Sequence, residues 1–344
     1  MGAVVRLKRK VNNAYNDLRS SVDQKISLVE EKIKSRLESD VNLIRQMVVH
    51  YLSSGGKRIR ALLTLGCSEL CGYSKGLRDV NLAACVELIH SATLLHDDVI
   101  DKSAVRRGKK TANKIWGNQS SILVGDYLLS RCFEIMVEDN DPEVLKLLSS
   151  TSSKIAQGEV LQLQHKGEID ILEEIYLKII SSKTAALFAA ATKVGGIITN
   201  KSNKEKEALQ FYGKNLGITF QIADDTLDYN SNLNLFGKKI GKDFFEGKVT
   251  LPAILVYLRA NINEKEFLKK IFKQNERSEE DFKIMLKLIS KYNIIHQCYK
   301  KAEYFVNLAS SSLSIFKPSR EKNILENLTS FSFCLLYTSP SPRD

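Results

Sequence analysis

The amino-acid sequence predicts an all-α fold, a single-domain bundle of long, mostly antiparallel helices. Helix breakers are scarce: there are 18 Gly and 5 Pro in 344 residues, and Pro318, Pro340 and Pro342 fall near the C-terminus. The stretch before them therefore lacks the punctuation of sheet-rich proteins. Apolar residues also recur at intervals of three and four through most of the chain, the spacing that lines one face of a helix. A hydrophobic content of 43% against 26% charged excludes disorder and a small disulfide-stapled scaffold.

In chain order the periodic segments are Ile26–Leu37, Val41–Leu52, Ile59–Leu70, Val80–Leu95, Ile122–Val137, Ile155–Leu163, Ile171–Ala191, Ala208–Leu227, Leu251–Leu258 and Phe267–Ile289. Asp40 stands where an N-cap would accept the first free N–H groups of its helix, and Thr250 with Pro252 forms a second helix start. The connections Ser53–Gly56, Asp139–Pro142 and Lys201–Lys206 are short and polar, which favours antiparallel neighbours in one domain. Six cysteines form no C-x-x-C pair; Cys67 and Cys71, four apart, are expected to pack as small apolar residues in a reducing compartment. After Phe333 the period stops, so the domain is expected to span 1–333. Residues 334–344, with two prolines, are expected to be disordered and do not read as native coding sequence.

Lys and Arg exceed Asp and Glu by 51 − 40 = 11, a field that draws anions. The basic residues are spread along the chain without a recognition-helix or zinc-finger pattern, so no nucleic-acid partner is expected. Phosphorylated small molecules or an anionic lipid surface fit the sign. Leu82–Leu95 is interrupted by Glu87 and His90, and Thr184–Ile198 by Lys193, so neither supplies the roughly 20 apolar residues of a spanning helix. Met1–Lys10 is basic without an apolar signal core. The expected setting is cytoplasmic, with at most a peripheral membrane contact.

One device occurs twice. Asp97-Asp98-Val99-Ile100-Asp101 and Asp224-Asp225-Thr226-Leu227-Asp228 each close an apolar helical segment with D-D-x-x-D. Residues four apart on a helix lie one above the other, so Asp97 and Asp101 share a face, as do Asp224 and Asp228. Asp98 and Asp225 are turned away by about 100°. Two carboxylates about 4 Å apart repel by about 4 kcal/mol at an effective dielectric of about 20, and a helix C-terminus is the unfavourable end of the macrodipole for an anion. A solvated helix end would explain one such motif. Two, each under an apolar helix, call for a cation. Carboxylates without His or Cys describe a hard-cation site, and Mg²⁺ in particular is completed by water and substrate phosphates.

Basic residues flank both motifs. Gly55-Gly56-Lys57-Arg58-Ile59-Arg60 enters a helix, Arg106-Arg107-Gly108 follows the first motif, and Lys238, Lys242 and Lys248 follow the second. Glycines ahead of a helix N-terminus let backbone approach an anion, Arg offers fork contacts to phosphate and Lys a mobile point charge. His90, two turns before Asp97, is expected on the face that meets the same site.

On these residues the chain resembles the trans-isoprenyl diphosphate synthase family, the head-to-tail polyprenyl synthases. The likeness runs from about Asn42 to Leu258 and rests on an ordered set: G-G-K-R-I-R at 55–60, E-L-I-H-S-A-T-L-L-H-D-D-V-I-D at 87–101, R-R-G at 106–108, G-D-Y-L at 125–128, A-Q-G-E at 156–159, K-T-A at 183–185, F-Q-I-A-D-D-T-L-D at 220–228 and G-K-D-F-F-E-G-K-V-T-L-P at 241–252. The resemblance implies an all-α homodimer of isoprenoid synthase type, with the two motifs facing each other across a deep central cavity. It implies Mg²⁺, three ions per site, held by Asp97, Asp101 and Asp224, with Asp98, Asp225 and Asp228 at or beside the ions. It assigns isopentenyl diphosphate to Lys57, Arg60, His90 and Arg107. An allylic diphosphate such as farnesyl diphosphate goes to Arg106, Lys183, Thr184, Gln221, Lys238 and Lys248, with Lys183, Thr184 and Gln221 also beside the allylic cation. Terpene cyclases normally lack the second motif and the G-G-K-R entry, and a non-catalytic partner subunit would be expected to have lost motif aspartates that are all present here.

Product length is expected to follow cavity depth. Ala92 and Thr93, one turn below Asp97, are small, where a bulky aromatic would floor the tunnel early. The expected product is therefore a long all-trans polyprenyl diphosphate, about C40 to C50, of the kind used for quinone side chains, with a shorter farnesyl or geranylgeranyl product as the alternative. Phe133 and Met136 are alternatives for a deeper floor.

Overall fold

The computed structural model describes residues 14–53, 55–230 and 240–338, with side chains through 329. Helical residues at 14–21 lead into α1 (Asp23–Arg36), α2 (Asn42–Ser53), α3 (Ile59–Leu70) and α4 (Arg78–Ile100). A two-residue hairpin, β1 (Val105–Arg106) and β2 (Lys109–Lys110), separates these from α5 (Ala112–Trp116), α6 (Asn118–Asp139) and α7 (Pro142–Gln164). Then come α8 (Glu173–Ile180), a π turn (Ser181–Ala185), α9 (Ala186–Ile198) and α10 (Asn203–Leu227). The remainder is α11 (Lys242–Glu246), α12 (Leu251–Arg259), α13 (Ile262–Lys273), α14 (Glu279–Lys291), α15 (Ile294–Ser312) and α16 (Arg320–Thr338).

The all-α expectation holds, and contacts fix the direction of the main pairs. Along α4 and α6, Arg78 meets Asp139, Cys85 meets Cys132 and Leu95 meets Ser121, an order that runs the helices antiparallel. Helices α9 and α10 are antiparallel too, since Thr192 bonds Leu209 while Thr184 bonds Gln221. Helices α3 and α9 run the same way, with Arg60 over Phe188 and Gly195 against Cys67.

Two apolar clusters form the interior. One gathers α1, α3, α4, α6 and α9, and the other gathers α8 and α12 to α15. Helix α10 serves both, giving Leu209, Tyr212 and Leu216 to the first and Ile218, Ile222 and Leu227 to the second. A helix that is apolar on two faces must be buried between layers, and this one carries the second aspartate motif at its C-terminal end. The five described cysteines are buried and unpaired, as expected of thiols that pack as small hydrophobes. No helix among the described residues is long and apolar enough to cross a membrane.

Several boundaries differ from the sequence reading. The first carbonyl bond of α2 runs from Arg45 N–H to Val41, so Val41 rather than Asp40 caps it. Phe267–Ile289 is two helices, because Ser278 and Asp281 close a capping box that starts α14. Ile171–Ala191 is interrupted by the π turn. The α16 backbone continues to Thr338, so residues 334–338 are helical where disorder was expected: Cys334-Leu335-Leu336-Tyr337 contains no breaker. Residues 339–344 and Lys238 lie outside the described residues.

Candidate active site

Helices α4 and α10 end alike. Asp101 N–H donates to the Asp97 carbonyl at 2.8 Å, and Asp228 N–H donates to the Asp224 carbonyl at 3.2 Å, so the third aspartate of each motif is the C-cap. The side chains then diverge. Asp97, Asp101, Asp224 and Asp225 all line one cavity. Asp98 turns away into a forked bond from Arg106 at 2.9–3.2 Å. Asp228 turns to the backbone of α11, accepting from Lys242 N–H at 3.2 Å and Asp243 N–H at 2.8 Å.

The i, i+4 expectation thus holds for the first motif. In the second, Asp225 and not Asp228 joins Asp224 at the cavity, because the chain returning after the motif recruits Asp228 as a cap. Asp225 is held by two donors, Tyr176 Oη at 2.7 Å and Gln221 Nε2 at 2.7 Å. Gln221 in turn accepts from Thr184 Oγ1 at 2.7 Å, which ties the motif to the π turn. Burial, with Asp243 and Asp224 beside it, pushes the Asp225 carboxyl up to about 8.

Lysines cross the cavity. Lys248 Nζ stands 2.7 Å from Asp101 Oδ2, and Lys183 Nζ stands 3.8 Å from Asp97 Oδ2. Burial works to raise the Asp101 carboxyl, but Lys248, Lys183 and Lys242 hold it below the usual carboxylate range. Lys183 also meets Glu159, whose carboxyl burial and Asp97 push up to about 7. A π turn widens a helix by one residue and is common at functional sites; here Lys183 and Thr184 lie within it and line the cavity.

The other end of the cavity is basic. Gly55 (φ +67°) and Gly56 (φ +154°) let the chain double back toward α3, and a β-carbon at Gly56 would stand 2.7 Å from Arg107 Nη1. Arg107 donates to the Gly55 carbonyl. Glu87 accepts from Ala61 N–H at 3.1 Å and pairs with Arg58 at 3.6 Å, so a carboxylate takes one of the α3 N-terminal donors that the glycine-rich entry was expected to offer to an anion. Arg60 lies 4.5 Å above the Phe188 ring, and burial lowers its guanidinium to about 10. His90 is held neutral, its pKa pushed well down by burial and then by Arg60, Arg107, Arg106 and Arg58.

Lys57, Arg60, His90, Arg106, Arg107, Lys183, Thr184, Gln221 and Lys248 therefore all border one cavity, as does Thr93. Ala92 does not: it is fully buried in the larger apolar cluster. Phe133 is 49% exposed and Met136 lies in the core, so neither floors the cavity within this chain. Glu159, Tyr176 and Asp243 also line the cavity; in the sequence Glu159 stands within A-Q-G-E and Asp243 within G-K-D-F-F-E without an assigned role, and Tyr176 stands in no motif. Asp243 sits in the G-K-D-F-F-E run, the one signal that could have found it.

The donor set fits a hard divalent cation carried by a polyanion. Among the described residues no three His, Cys, Asp or Glu side chains are gathered tightly enough to hold a metal ion alone, yet four aspartates of the two motifs line one cavity. Arg60 Nε and Arg107 Nε are buried without a hydrogen-bond partner, donors that a phosphate oxygen would satisfy.

Comparison with known proteins gives the same outline. The family model described as polyprenyl synthetase matches residues 41–289. Octaprenyl diphosphate synthase of Escherichia coli is 46% identical over 231 residues, covering 67% of this chain and 71% of that protein. The crystal structure of a polyprenyl synthase from Caulobacter crescentus, complexed with calcium and isoprenyl diphosphate, superposes with a TM-score of 0.88 at 39% identity, covering 93% of this chain and 97% of that one. A decaprenyl diphosphate synthase from Rhodobacter capsulatus superposes with a TM-score of 0.89 at 38% identity, covering 93% and 98%.

Proposed function

The chain belongs to the polyprenyl synthetase family, and on that premise we propose that it joins isopentenyl diphosphate head-to-tail onto an allylic diphosphate such as farnesyl diphosphate, in a Mg²⁺-dependent reaction through an allylic carbocation. The product is an all-trans chain of octaprenyl to decaprenyl length, of the kind used for quinone side chains. The observation that carries this reading is that carboxylates of both motifs, Asp97 and Asp101 with Asp224 and Asp225, line one cavity together with Lys57, Arg60, Arg106 and Arg107.

Asp97, Asp101, Asp224 and Asp225 would hold the metal, with Asp98 fixed behind them by Arg106 and Asp228 fixing α11. Bound Mg²⁺ supplies charge stabilisation for the departing diphosphate. Lys183 and Lys248, which line the same cavity, would contact the same oxygens. Lys57, Arg60 and Arg107 bind the diphosphate of the isopentenyl partner, and neutral His90 donates one hydrogen bond without adding charge. The hydroxyl of Thr184 and the amide of Gln221 present dipoles to the allylic carbons as positive charge develops. No side-chain nucleophile is needed, because the isopentenyl double bond attacks the cation and the released diphosphate accepts the proton. Apolar walls such as Ile155, Ile180 and Phe220 exclude water that would trap the cation.

Small Thr93 on the wall beneath Asp97 leaves room for a growing chain, which supports the long product. On α6, Ile122, Leu123, Phe133 and Val137 are 43–66% exposed and fall within one arc of about 100°. That stripe supports a homodimer in which a second copy covers it. The setting is cytoplasmic with a peripheral membrane contact for product release. The test is an incubation with labelled isopentenyl diphosphate, farnesyl diphosphate and Mg²⁺, with and without chelator, resolved by product chromatography. Metal-dependent elongation to the octaprenyl–decaprenyl range supports the reading, and absence of elongation overturns it.

A further inference from the structure

Two lysines are shared between carboxylates in the same way at two places. Lys183 Nζ lies 2.6 Å from Glu159 Oε1 and 3.8 Å from Asp97 Oδ2. Lys248 Nζ lies 2.9 Å from Glu246 Oε2 and 2.7 Å from Asp101 Oδ2. In each case one carboxylate belongs to the first aspartate motif and the other to a glutamate on a separate element, α7 or α11. All six side chains are only 14–21% exposed, so water screens these pairs weakly.

An ammonium seated on a carboxylate occupies the lone pairs that a divalent cation needs. Both aspartates face this competition, and both lysines have a second anchor. We propose that Glu159 and Glu246 are positioning residues that draw Lys183 and Lys248 away from Asp97 and Asp101, leaving the aspartates open to the cation and the lysines beside it for the substrate diphosphate. The device is further advanced at Lys183, which sits on Glu159 with Asp97 at the longer distance. At Lys248 the two anchors are nearly balanced. Gln162 Oε1 also accepts from Lys183 Nζ at 3.0 Å, but it carries no charge; among the described residues Asp97 is the other carboxylate within 4.0 Å of Lys183 Nζ, so loss of the Glu159 charge shifts the balance of the ammonium toward that aspartate.

The inference rests on the cation–diphosphate reading above, and the test separates the two. Mn²⁺ alone is titrated into the full chain with free ion followed by electron paramagnetic resonance, then again with inorganic pyrophosphate present. Glu159→Gln is expected to weaken Mn²⁺ binding about fivefold or more, and Lys183→Gln to tighten it, because the competitor is gone. In the Lys183→Gln background the Glu159→Gln effect shrinks to within about twofold. Glu246→Gln and Lys248→Gln follow the same pattern. If Glu159→Gln weakens binding equally with and without Lys183, Glu159 is itself a ligand and the proposal falls. Tighter binding by Lys183→Gln cannot come from misfolding, and unchanged or weaker binding by that variant also overturns the proposal. No Mn²⁺ binding by the unmodified chain under either condition would instead overturn the functional reading.

Discussion

Gly158 on α7 lies against the backbone of Lys183: a β-carbon at 158 would stand 2.7 Å from the Lys183 nitrogen and 3.1 Å from its α-carbon. From the opposite side Gly217 on α10 meets Ala185, where a β-carbon would stand 2.7 Å from the α-carbon. The π turn that carries Lys183 and Thr184 is therefore clasped between two helices at points where neither can bear a side chain.

Gly158→Ala is expected to displace the π turn, since the obstructing atoms are the Lys183 backbone and the Ser182 β-carbon, none of which can rotate aside. Overpacking of this kind costs about 1–3 kcal/mol. Turnover should fall more than stability does, because Lys183 and Thr184 move relative to the carboxylates. Steady-state kinetics beside thermal melting checks this; a variant that melts lower yet keeps its kcat would show that the turn shifts without consequence.

Tyr176→Phe removes one of the two donors on Asp225 while keeping the ring in the core. A buried acceptor that loses a partner costs about 1–3 kcal/mol, and here the loss frees the carboxylate to rotate. The Mg²⁺ concentration for half-maximal activity is expected to rise about tenfold, with KM for isopentenyl diphosphate unchanged because that substrate is assigned to the Lys57–Arg107 end. Metal-dependence curves for both forms decide it.

How much of this was legible in the sequence depends on the range of the interaction. Helix existence followed from apolar period, and the aspartates' cavity-facing positions on α4 followed from the i, i+4 rule. Asp225 and Asp228 exchanged their expected orientations because the rule describes an isolated helix. The chain returning at Lys242 and Asp243 offered two N–H groups to Asp228, and nothing within the motif encodes that return. Tyr176 reaches Asp225 across 49 residues, and Glu159 reaches Lys183 across 24; such partners are set by helix packing, which periodicity does not specify. The split of Phe267–Ile289 was, by contrast, local: Ser278-x-x-Asp281 is a capping signal inside the apolar run.

His90 supplies a pH dependence. Its folded pKa lies well below the usual histidine value, first through burial and then through the surrounding arginines. The unfolded chain takes up a proton near pH 6.5 while the folded one does not, so the stability His90 gives is full above that pH. It is lost as pH falls from about 6.5 toward the depressed folded value, at about 1.4 kcal/mol per pH unit. Urea midpoints of the unmodified chain and of His90→Gln at pH 7.5 and 5.5 test this. The pH-dependent loss is expected to be smaller in the variant, and equal losses would remove His90 as the cause.

Product length separates Thr93 from its neighbour. Thr93 borders the cavity, whereas Ala92 is 0% exposed and packed within the apolar cluster. A phenylalanine at 93 projects into the space below Asp97 and should stop elongation several isoprene units early, with melting temperature little changed. A tyrosine at 92 has no cavity to enter. It must push α4 from its neighbours, at a cost of about 1–3 kcal/mol, and its first effect should be on stability. Chromatography of products from Thr93→Phe and Ala92→Tyr, each beside its melting curve, tests the distinction. Shortening by Ala92→Tyr at full stability would mean that α4 can rotate in its socket and present residue 92 to the growing chain. Unchanged length in both variants would move the determinant of product size deeper, beyond the first turn below Asp97.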